Sequence, residues 1–303
     1  MPAATTHIEC AKDIYERLPL GKQAIITNKN MFYLGSQGPD LFFFYKYGVM
    51  SRLKQIGIYM HEHRIEEIIK AMHEYIASSS DYDLLSYFYG YLCHYALDSS
   101  AHPLVFHRSK YGNLKDEPEL VIHFRIEAFI DKYILNKKGR DISSYDTDKL
   151  VTISDTDITK LSKMYVSVFK SALGLTVEQH KIEKNCKQIV SILSYLKPSS
   201  LLKFKAIQAF ENITSKGHTI SSLMLYNDFD NIDYVLNNNH EEFKNINDDS
   251  LVYTDSFDDM YEKAILKGID LINNPFKENN YYLDFEGKVQ VNKQEVEIEL
   301  LPE

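Results

Sequence analysis

The chain has 303 residues, 44% of them hydrophobic and 25% charged, which is the composition of a globular protein that buries a real core, as one large domain or two modest ones. Its net charge of −9, from 34 basic and 43 acidic residues, argues against a broad basic surface for nucleic acid or anionic membrane. The three scattered cysteines suggest neither a disulfide framework nor a thiolate metal site.

Helical periodicity runs through most of the chain, and strand-like alternation appears only near its end. The apolar spacing predicts these helices: Thr6–Leu18, Tyr59–Ala77, Asp83–His102, Glu119–Asn136, Asp157–Leu173, Val177–Leu196, Ser200–Ile213 and one near Ser256–Ile272. The segment Gly139–Thr156, rich in Asp, Ser and Thr, is predicted to be a connecting loop.

These elements predict one all-α domain over residues 1–275, a compact multi-helix bundle. Its first half, 1–138, carries the candidate metal ligands, and its second helical half spans 157–275. A polar C-terminal tail follows at 276–303. Within it, KVQVNKQEVEIEL alternates as a short strand does, and the tail could be a hairpin, an arm or disordered.

The N-terminal residues MPAATTHIECAKDIY contain no positively charged region followed by an apolar stretch, so no secretory signal is expected. The longest uncharged run, Leu84 to Leu97, is too short and too rich in tyrosine to span a bilayer. We therefore expect a soluble cytoplasmic protein that has no membrane span and forms no stable complex with nucleic acid. The sequence does not indicate its oligomeric state.

The third predicted helix carries His94, Asp98 and His102 at positions i, i+4 and i+8, which places them on one face. No charged residue precedes Asp98 as far back as Leu84, so the helix is predicted to be buried on most sides. A buried carboxylate needs a partner. A single His–Asp pair would favour a hydrogen bond in the core, whereas two histidines flanking one Asp favour a metal ion.

The fourth predicted helix repeats this arrangement with His123 and Glu127. These two residues share a face with Leu120, Ile130 and Ile134. A carboxylate beside an imidazole on an apolar stripe suits a second metal site. The alternative is a glutamate that reaches solvent at the rim of its helix.

Two histidines on the second predicted helix differ in direction. His63 lies about 200° from His61 around the helix and is expected in solvent. His61 points inward, because it shares its face with Ile65, Ile68, Ile69, Met72 and Ile76. The sequence thus predicts that His61 is a ligand and that His63 is not.

Two further candidates come from the first 40 residues. His7 lies in the first turn of its helix, where the positive helix end keeps an imidazole neutral, as a ligand must be. A solvated or capping His7 is the alternative. Asp40 follows the turn GSQGPD and precedes the aromatic run LFFFYKY, and it could equally be a helix N-cap. His107, in the predicted loop after Pro103, could line the site.

Imidazole and carboxylate ligands without thiolates are typical of catalytic zinc, and their number exceeds what one tetrahedral ion uses. Two or three zinc ions would use them all. Clusters of this kind activate water and clamp the oxygens of a phosphoester, so the predicted reaction is hydrolysis, with phosphoester cleavage as the leading candidate. The candidate ligands are His7, Asp40, His61, His94, Asp98, His102, His123 and Glu127.

The ordered motifs THxxxAxD, GxQGPDxFFF, MHE, HYxxDxxxHP and HxxxE resemble the zinc-dependent phospholipase C family over roughly residues 1–135. The resemblance implies a compact all-α fold with a trinuclear zinc site in a cleft, and it places Asp40 at the position of the general base. It also implies three sets of ligands: Asp40, His61, His94 and Asp98 for one zinc; His102, His123 and Glu127 for a second; and His7, with Asp98 as the bridge, for a third.

The chain departs from parts of this pattern. In secreted members the processed N-terminal residue completes the third zinc site, whereas here six residues precede His7. Secreted toxins carry a β-sandwich after the catalytic domain, whereas residues 157–272 are predicted to be helical. Related single-strand nucleases end the second site with Asp, whereas this chain has Glu127.

Three functions remain open at this point. The first is a zinc-dependent phosphodiesterase acting on a phospholipid headgroup or another small phosphoester. The second is a nuclease or nucleotidase on the same scaffold. The third is a non-catalytic binding protein that zinc stabilises.

Overall fold

The computed structural model of the protein describes residues 4–46, 49–112, 117–197, 200–214, 218–290 and 300. Its α-helices are α1 (Ala4–Arg17), α2 (Leu20–Ile25), α3 (Lys29–Gly35), α4 (Arg52–Glu62), α5 (Ile65–Ser79), α6 (Tyr82–Tyr111), α7 (Glu119–Lys137), α8 (Thr147–Leu150), α9 (Asp155–Leu173), α10 (Gln179–Leu196), α11 (Leu201–Thr214), α12 (Ile232–Leu236) and α13 (Phe257–Asn273). The other named elements are two 3-10 helices, Gly38–Phe44 and Ser221–Leu223, and the antiparallel strands β1 (Phe243–Lys244) and β2 (Val252–Tyr253). The predicted all-α architecture is confirmed.

Helix α6 is the centre of the bundle, and α1, α3, α5, α7, α9 and α13 pack against it. It begins where the side chain of Asp81 accepts hydrogen bonds from two backbone N–H groups of the first turn. Its side chains Tyr87, Tyr91 and Tyr95 are fully buried. The uncharged stretch of α6 from Leu84 to Leu97 is stable as a helix because neighbouring helices cover nearly all of its faces.

The end of α6 differs from the prediction, which stopped the helix at His102. A proline inside a helix removes one backbone hydrogen bond and usually ends the helix, but α6 continues through Pro103. Leu104 and Val105, directly after the proline, are buried, and this packing offsets the lost bond. His107 therefore lies on a helix and not in a loop.

Two glycines let α3 cross α6 at backbone contact. A Cβ atom on Gly35 would lie 2.0 Å from the carbonyl oxygen of Tyr87, and one on Gly90 would lie 2.0 Å from that of Phe32. Neither distance is possible for a real side chain, so both positions need glycine. The close crossing brings the 3-10 helix that follows α3 up against α6, where Asp40 becomes part of the candidate site.

The prediction of one helix over Tyr59–Ala77 is wrong, because this segment belongs to α4 and α5. Between them His63 is extended and Arg64 adopts a left-handed conformation with φ of 53°. Helix α4 packs on the 3-10 helix Gly38–Phe44, whereas α5 packs on α9, so the chain turns between two different partners. Each piece has its own apolar face, and the continuous periodicity of the sequence hid the break.

Short elements escaped the prediction because they lack the two or more turns that periodicity requires. These are α2, α3, α12, the strands, and α8, which lies inside the predicted loop Gly139–Thr156. One face assignment is also wrong. Leu120 is exposed, since it lies in the first turn of α7, whereas Ile130 and Ile134 are buried as expected.

Residues 281–290 fold back onto α6. The hydroxyl of Tyr95 donates to the carbonyl oxygen of Leu283 at 2.8 Å, and Leu283 forms an isolated antiparallel bridge with Val289. The rest of the predicted C-terminal strand falls on 291–299, outside the described residues. Within the described part of the chain, no helix is both long and apolar enough to cross a bilayer.

Candidate metal centre

Five elements deliver the eight predicted ligands to one region. His7 comes from α1 and Asp40 from the 3-10 helix after α3. His61 lies in the last turn of α4. Helices α6 and α7 supply the remaining residues, which are His94, Asp98, His102, His123 and Glu127. The structure arranges them in three groups, and within each group the potential ligand atoms lie within 4.8 Å of one another. The groups are His7, His94 and Asp98; Asp40, His61 and His94; and His102, His123 and Glu127.

Asp98 lies at the middle of the site. Its Oδ1 is 3.1 Å from Nε2 of His7 and 3.7 Å from Nε2 of His102, and its Oδ2 is 2.9 Å from Nε2 of His94. The rings of His7 and His94 are stacked, with centroids 4.1 Å apart. One carboxylate thus faces three imidazoles from two helices, which is the arrangement that a bridging ligand needs.

The second group joins the first through His94. The Oδ1 of Asp40 is 3.1 Å from Nε2 of His61. Asp40 is buried in the first turn of its 3-10 helix, so it is not the N-cap that the alternative interpretation proposed. His61 is buried and the side chain of His63 is 34% exposed, as the sequence predicts. The prediction placed His61 on the same helix face as residues 65–76, but those residues lie on α5 and His61 lies on α4, so its burial has a different cause.

The third group lies where α6 and α7 face each other. The Oε1 of Glu127 is 3.2 Å from Nε2 of His123 and 3.4 Å from Nε2 of His102. Glu127 is buried, so it does not reach solvent at the rim of its helix. The 3.7 Å contact between His102 and Asp98 connects this group to the other two.

Backbone carbonyl groups fix the orientation of three of these imidazoles. Nδ1 of His61 donates to Gly57 at 2.7 Å, Nδ1 of His94 to Ser36 at 3.0 Å, and Nδ1 of His102 to the carbonyl of residue 285 at 2.7 Å. A carbonyl oxygen only accepts, so Nδ1 carries the proton in each ring. In the neutral imidazole, Nε2 is then a lone pair that faces the carboxylates.

The Nε2 atoms lie between 2.9 and 3.7 Å from carboxylate oxygens. At such distances a nitrogen lone pair and a carboxylate oxygen repel each other unless a cation lies beside both. His94 shows this most clearly, because it is completely buried and its Nε2 makes no hydrogen bond of acceptable geometry despite lying 2.9 Å from Asp98. Zinc binds imidazole nitrogen and carboxylate oxygen at about 2.0–2.2 Å, which puts two ligands of one tetrahedral ion about 3.3 Å apart. The observed separations scatter around that value, so the residues fit zinc.

The charges of the site also favour a cation. Burial would raise the pKa of Asp98, but the imidazoles of His102, His94 and His7 hold it well below its ordinary value. Burial would lower the pKa of His102, but the carboxylates of Asp98 and Glu127 raise it to about 9. Without bound metal, the carboxylates are therefore ionised and attract either protons or metal ions.

Gly38 was not predicted to matter, but its lack of a side chain makes room for the site. Its φ is +51°, and a Cβ atom there would lie 2.1 Å from Cδ2 of His94. Only glycine combines that backbone conformation with that contact at little cost. The turn sequence GSQGPD pointed to flexibility, whereas the structural requirement is close approach of Gly38 to a ligand ring.

Asp131 is a second residue that the prediction missed. Its buried carboxylate accepts from the backbone N–H groups of Thr5 and Thr6 at 3.3 and 2.7 Å and from the Thr6 hydroxyl at 2.6 Å. It therefore holds the start of α1, where His7 lies one residue further on. Burial raises the pKa of Asp131 to about 7, although these donors oppose the shift. The sequence did offer one indication of its place near the site, because Asp131 follows Glu127 by four residues and therefore lies on the same face of the helix.

The remaining histidines lie apart from the three groups. His107 contacts Phe243 and Arg108 and does not line the site. The others face solvent or non-ligand partners, in agreement with the absence of any pattern around them: His73, His180, His218 and His240. All three cysteines are buried and unpaired.

Comparison with known proteins gives one match. Residues 6–186 match the family model described as zinc dependent phospholipase C, so the match covers more than half of the chain and includes every predicted ligand. No curated protein and no solved structure was found to match.

Proposed function

The chain belongs to the zinc-dependent phospholipase C family, and from this premise we propose that it is a zinc-dependent hydrolase that cleaves phosphoester bonds with two or three zinc ions. The proposed ligands are those of the three groups. His102, His123 and Glu127 would hold one ion. Asp40, His61 and His94 would hold a second together with Asp98, which lies 2.9 Å from His94, and His7 would hold a third that shares Asp98.

One observation carries the proposal: the completely buried Nε2 of His94 faces a carboxylate in the middle of the cluster and makes no hydrogen bond. The carboxylate is that of Asp98. A purely structural core would place a donor between such groups, since an unsatisfied buried polar atom costs about 1–3 kcal/mol. Zinc bound among them would activate a water molecule and neutralise charge on a phosphoryl oxygen.

The side chains of this centre have distinct tasks. Asp98 bridges the groups and offsets the positive charge of the cluster. The backbone acceptors of His61, His94 and His102 keep each Nε2 directed into the site. Asp40 is proposed to accept the proton of the attacking water, since it faces His61, whereas Asp98 faces three imidazoles. His61, at 3.1 Å, holds that carboxylate in place.

A pocket beside the centre bears on the class of substrate. Two of its residues, Ala4 and Asp131, lie one helical turn from His7 and Glu127 on the same helix faces. Much of its lining is apolar and comes from Phe44, Leu193, Leu196, Leu223 and Leu225. None of the eight ligands lines this pocket, but an apolar wall one helical turn from two of them suits a lipid alcohol better than a nucleoside, so we propose a phospholipid or a related phosphoester as the substrate.

The test compares three substrates with the zinc-loaded protein: a short-chain phosphatidylcholine, a mononucleotide and a single-stranded oligonucleotide. We expect hydrolysis of the phosphatidylcholine, loss of that activity in Asp40→Asn, and a raised KM in Leu196→Lys with kcat preserved. Preferential cleavage of the oligonucleotide or the mononucleotide would favour the nuclease or nucleotidase alternative. No hydrolysis of any of the three, with unfolding when zinc is removed, would favour a structural cluster.

A further inference from the structure

The segment 281–290, here called the C-terminal turn, lies about 100 residues beyond the end of the family match, yet it touches the candidate metal centre. Its central residue, Phe285, is completely buried. Its backbone contacts two of the proposed ligands in opposite senses: the N–H of Phe285 donates to the carbonyl of His61 at 3.0 Å, and its carbonyl accepts from Nδ1 of His102 at 2.7 Å.

The side chain of Phe285 packs against two of the proposed ligands. Its ring centroid lies 5.3 Å from that of His61 and 5.5 Å from that of His94. It also meets the rings of Tyr91 and Tyr95, with centroids at 6.0 and 5.1 Å. The turn therefore contacts imidazoles from two of the three ligand groups with its ring and reaches the third group through its carbonyl.

The turn is itself held in one conformation. The side chain of Asp284 accepts from the backbone N–H groups of Glu286 and Lys288, both at 2.8 Å. Gly287 has a φ of +74°, and a Cβ atom there would lie 2.6 Å from Cγ of Pro103. Pro103 directly follows His102, so the turn packs against the same stretch of α6 whose ligand it orients.

We propose that the C-terminal turn is a positioning element of the metal centre. The Phe285 carbonyl fixes the orientation of the His102 ring, and the Phe285 ring, packed against His61 and His94, keeps the turn at a fixed distance from these two ligands. The proposal rests on the assignment of these histidines as zinc ligands. A ligating histidine needs its second nitrogen held by an acceptor, and loss of such a partner typically weakens metal binding by about 10–100-fold. Assembly of the centre therefore depends on a segment that is distant in sequence.

Two substitutions disturb the turn from different sides. Phe285→Ala removes the ring that anchors it among the histidines and tyrosines. Gly287→Val forces a β-branched residue into a left-handed conformation and against Pro103, which displaces the backbone of the turn. Phe285→Leu retains an apolar anchor, and Tyr282→Ala is the matched control, because the Tyr282 side chain is 54% exposed on the same turn.

The readouts are zinc affinity, measured by competition with a chromogenic chelator, and the imidazole Nδ1–H signal of His102 in protein labelled with ¹⁵N-histidine. His102→Gln assigns the signal by removing it. We expect at least one zinc per chain to bind about 10–100-fold more weakly in Phe285→Ala and Gly287→Val, with the His102 signal lost or shifted. Phe285→Leu should recover most of the affinity, and Tyr282→Ala should match the parent chain.

The outcomes separate this proposal from the proposed function. If the parent chain binds no zinc, the assignment of the metal centre fails, and with it the premise of the proposal. If the parent chain binds zinc and both folded variants bind it with unchanged affinity and an unchanged His102 signal, the turn is only a cover and the proposal is wrong. If one variant does not fold, the other still decides, because the two act on different atoms of the turn.

Discussion

The substitution Asp98→Asn tests the proposed bridge. It retains the size of the side chain and one acceptor oxygen, but it removes the negative charge that three imidazoles approach. The two shortest contacts, to His94 and His7, are 2.9 and 3.1 Å. At about 3 Å and an effective dielectric constant near 20, opposite unit charges attract by roughly 5 kcal/mol before desolvation is counted.

The net effect is smaller than this gross attraction but still large. Removing one partner from a buried charge cluster costs about 3–5 kcal/mol. Since each ~1.4 kcal/mol changes a binding constant tenfold, zinc affinity should fall by at least about 100-fold at every site that uses Asp98. Two of the three proposed zinc sites include Asp98, so we expect the variant to lose more than one zinc per chain and all phosphoesterase activity. Glu127→Gln should lose about one.

The assay is elemental analysis of the purified protein after equilibration with zinc and dialysis, with circular dichroism to confirm that helical content persists. Asp157→Asn is the matched control, because Asp157 is also a buried aspartate but bonds to Ser154 and Asn28 away from the site. The control should retain all its zinc. If Asp98→Asn also retains the full zinc content of the parent chain, the bridging assignment is wrong and a hydrogen-bonded His–Asp core becomes the better explanation.

Three further predictions follow from the same geometry. His61→Ala should abolish zinc binding at one site and phosphoesterase activity. The activity of His63→Ala should stay within about twofold of that of the parent chain, since substitutions of partly exposed surface residues usually have small effects. Equal losses of zinc and activity in the two variants would contradict the assignment of His61 as a ligand. Gly38→Ala should lose zinc because its new Cβ meets His94. Gly139→Ala is the control, since it has similar left-handed strain but open space; its free energy of unfolding should fall by only about 1 kcal/mol in a denaturant titration, and it should keep its zinc. Equal zinc contents in the two variants would refute this prediction. Zinc uptake at pH 7 should release a proton from His102, whose pKa is about 9 without metal, so zinc affinity should fall as the pH is lowered. Calorimetry in buffers of different ionisation enthalpy measures the number of protons released. A zinc affinity that does not change with pH would contradict the prediction.

The helical architecture and the set of converging side chains were predictable because both follow from spacing along a helix. His94, Asp98 and His102 repeat every four residues in an uncharged stretch, and that pattern gave their common face without any tertiary information. Glu127 and His123 followed in the same way. His61 is buried as predicted, although the helix assumed for it is broken at Arg64.

Features that depend on contacts between distant segments were not predictable in this way. The extension of α6 through Pro103 depends on packing that no local pattern shows. The need for glycine at position 38 arises from the ring of His94, which is 56 residues away along the chain. The carbonyl of Phe285 has no side-chain signature at all, so only the folded chain shows that it accepts from His102.

Anomalous diffraction at the zinc absorption edge, from a crystal of the zinc-loaded protein, tests the three ligand groups most directly. We expect two or three anomalous peaks, each within about 2.0–2.2 Å of nitrogen or oxygen atoms from these groups, with Asp98 touching two of them if the third is present. Peaks only at exposed histidines such as His180 and His240, or no peak beside His94, would contradict this expectation.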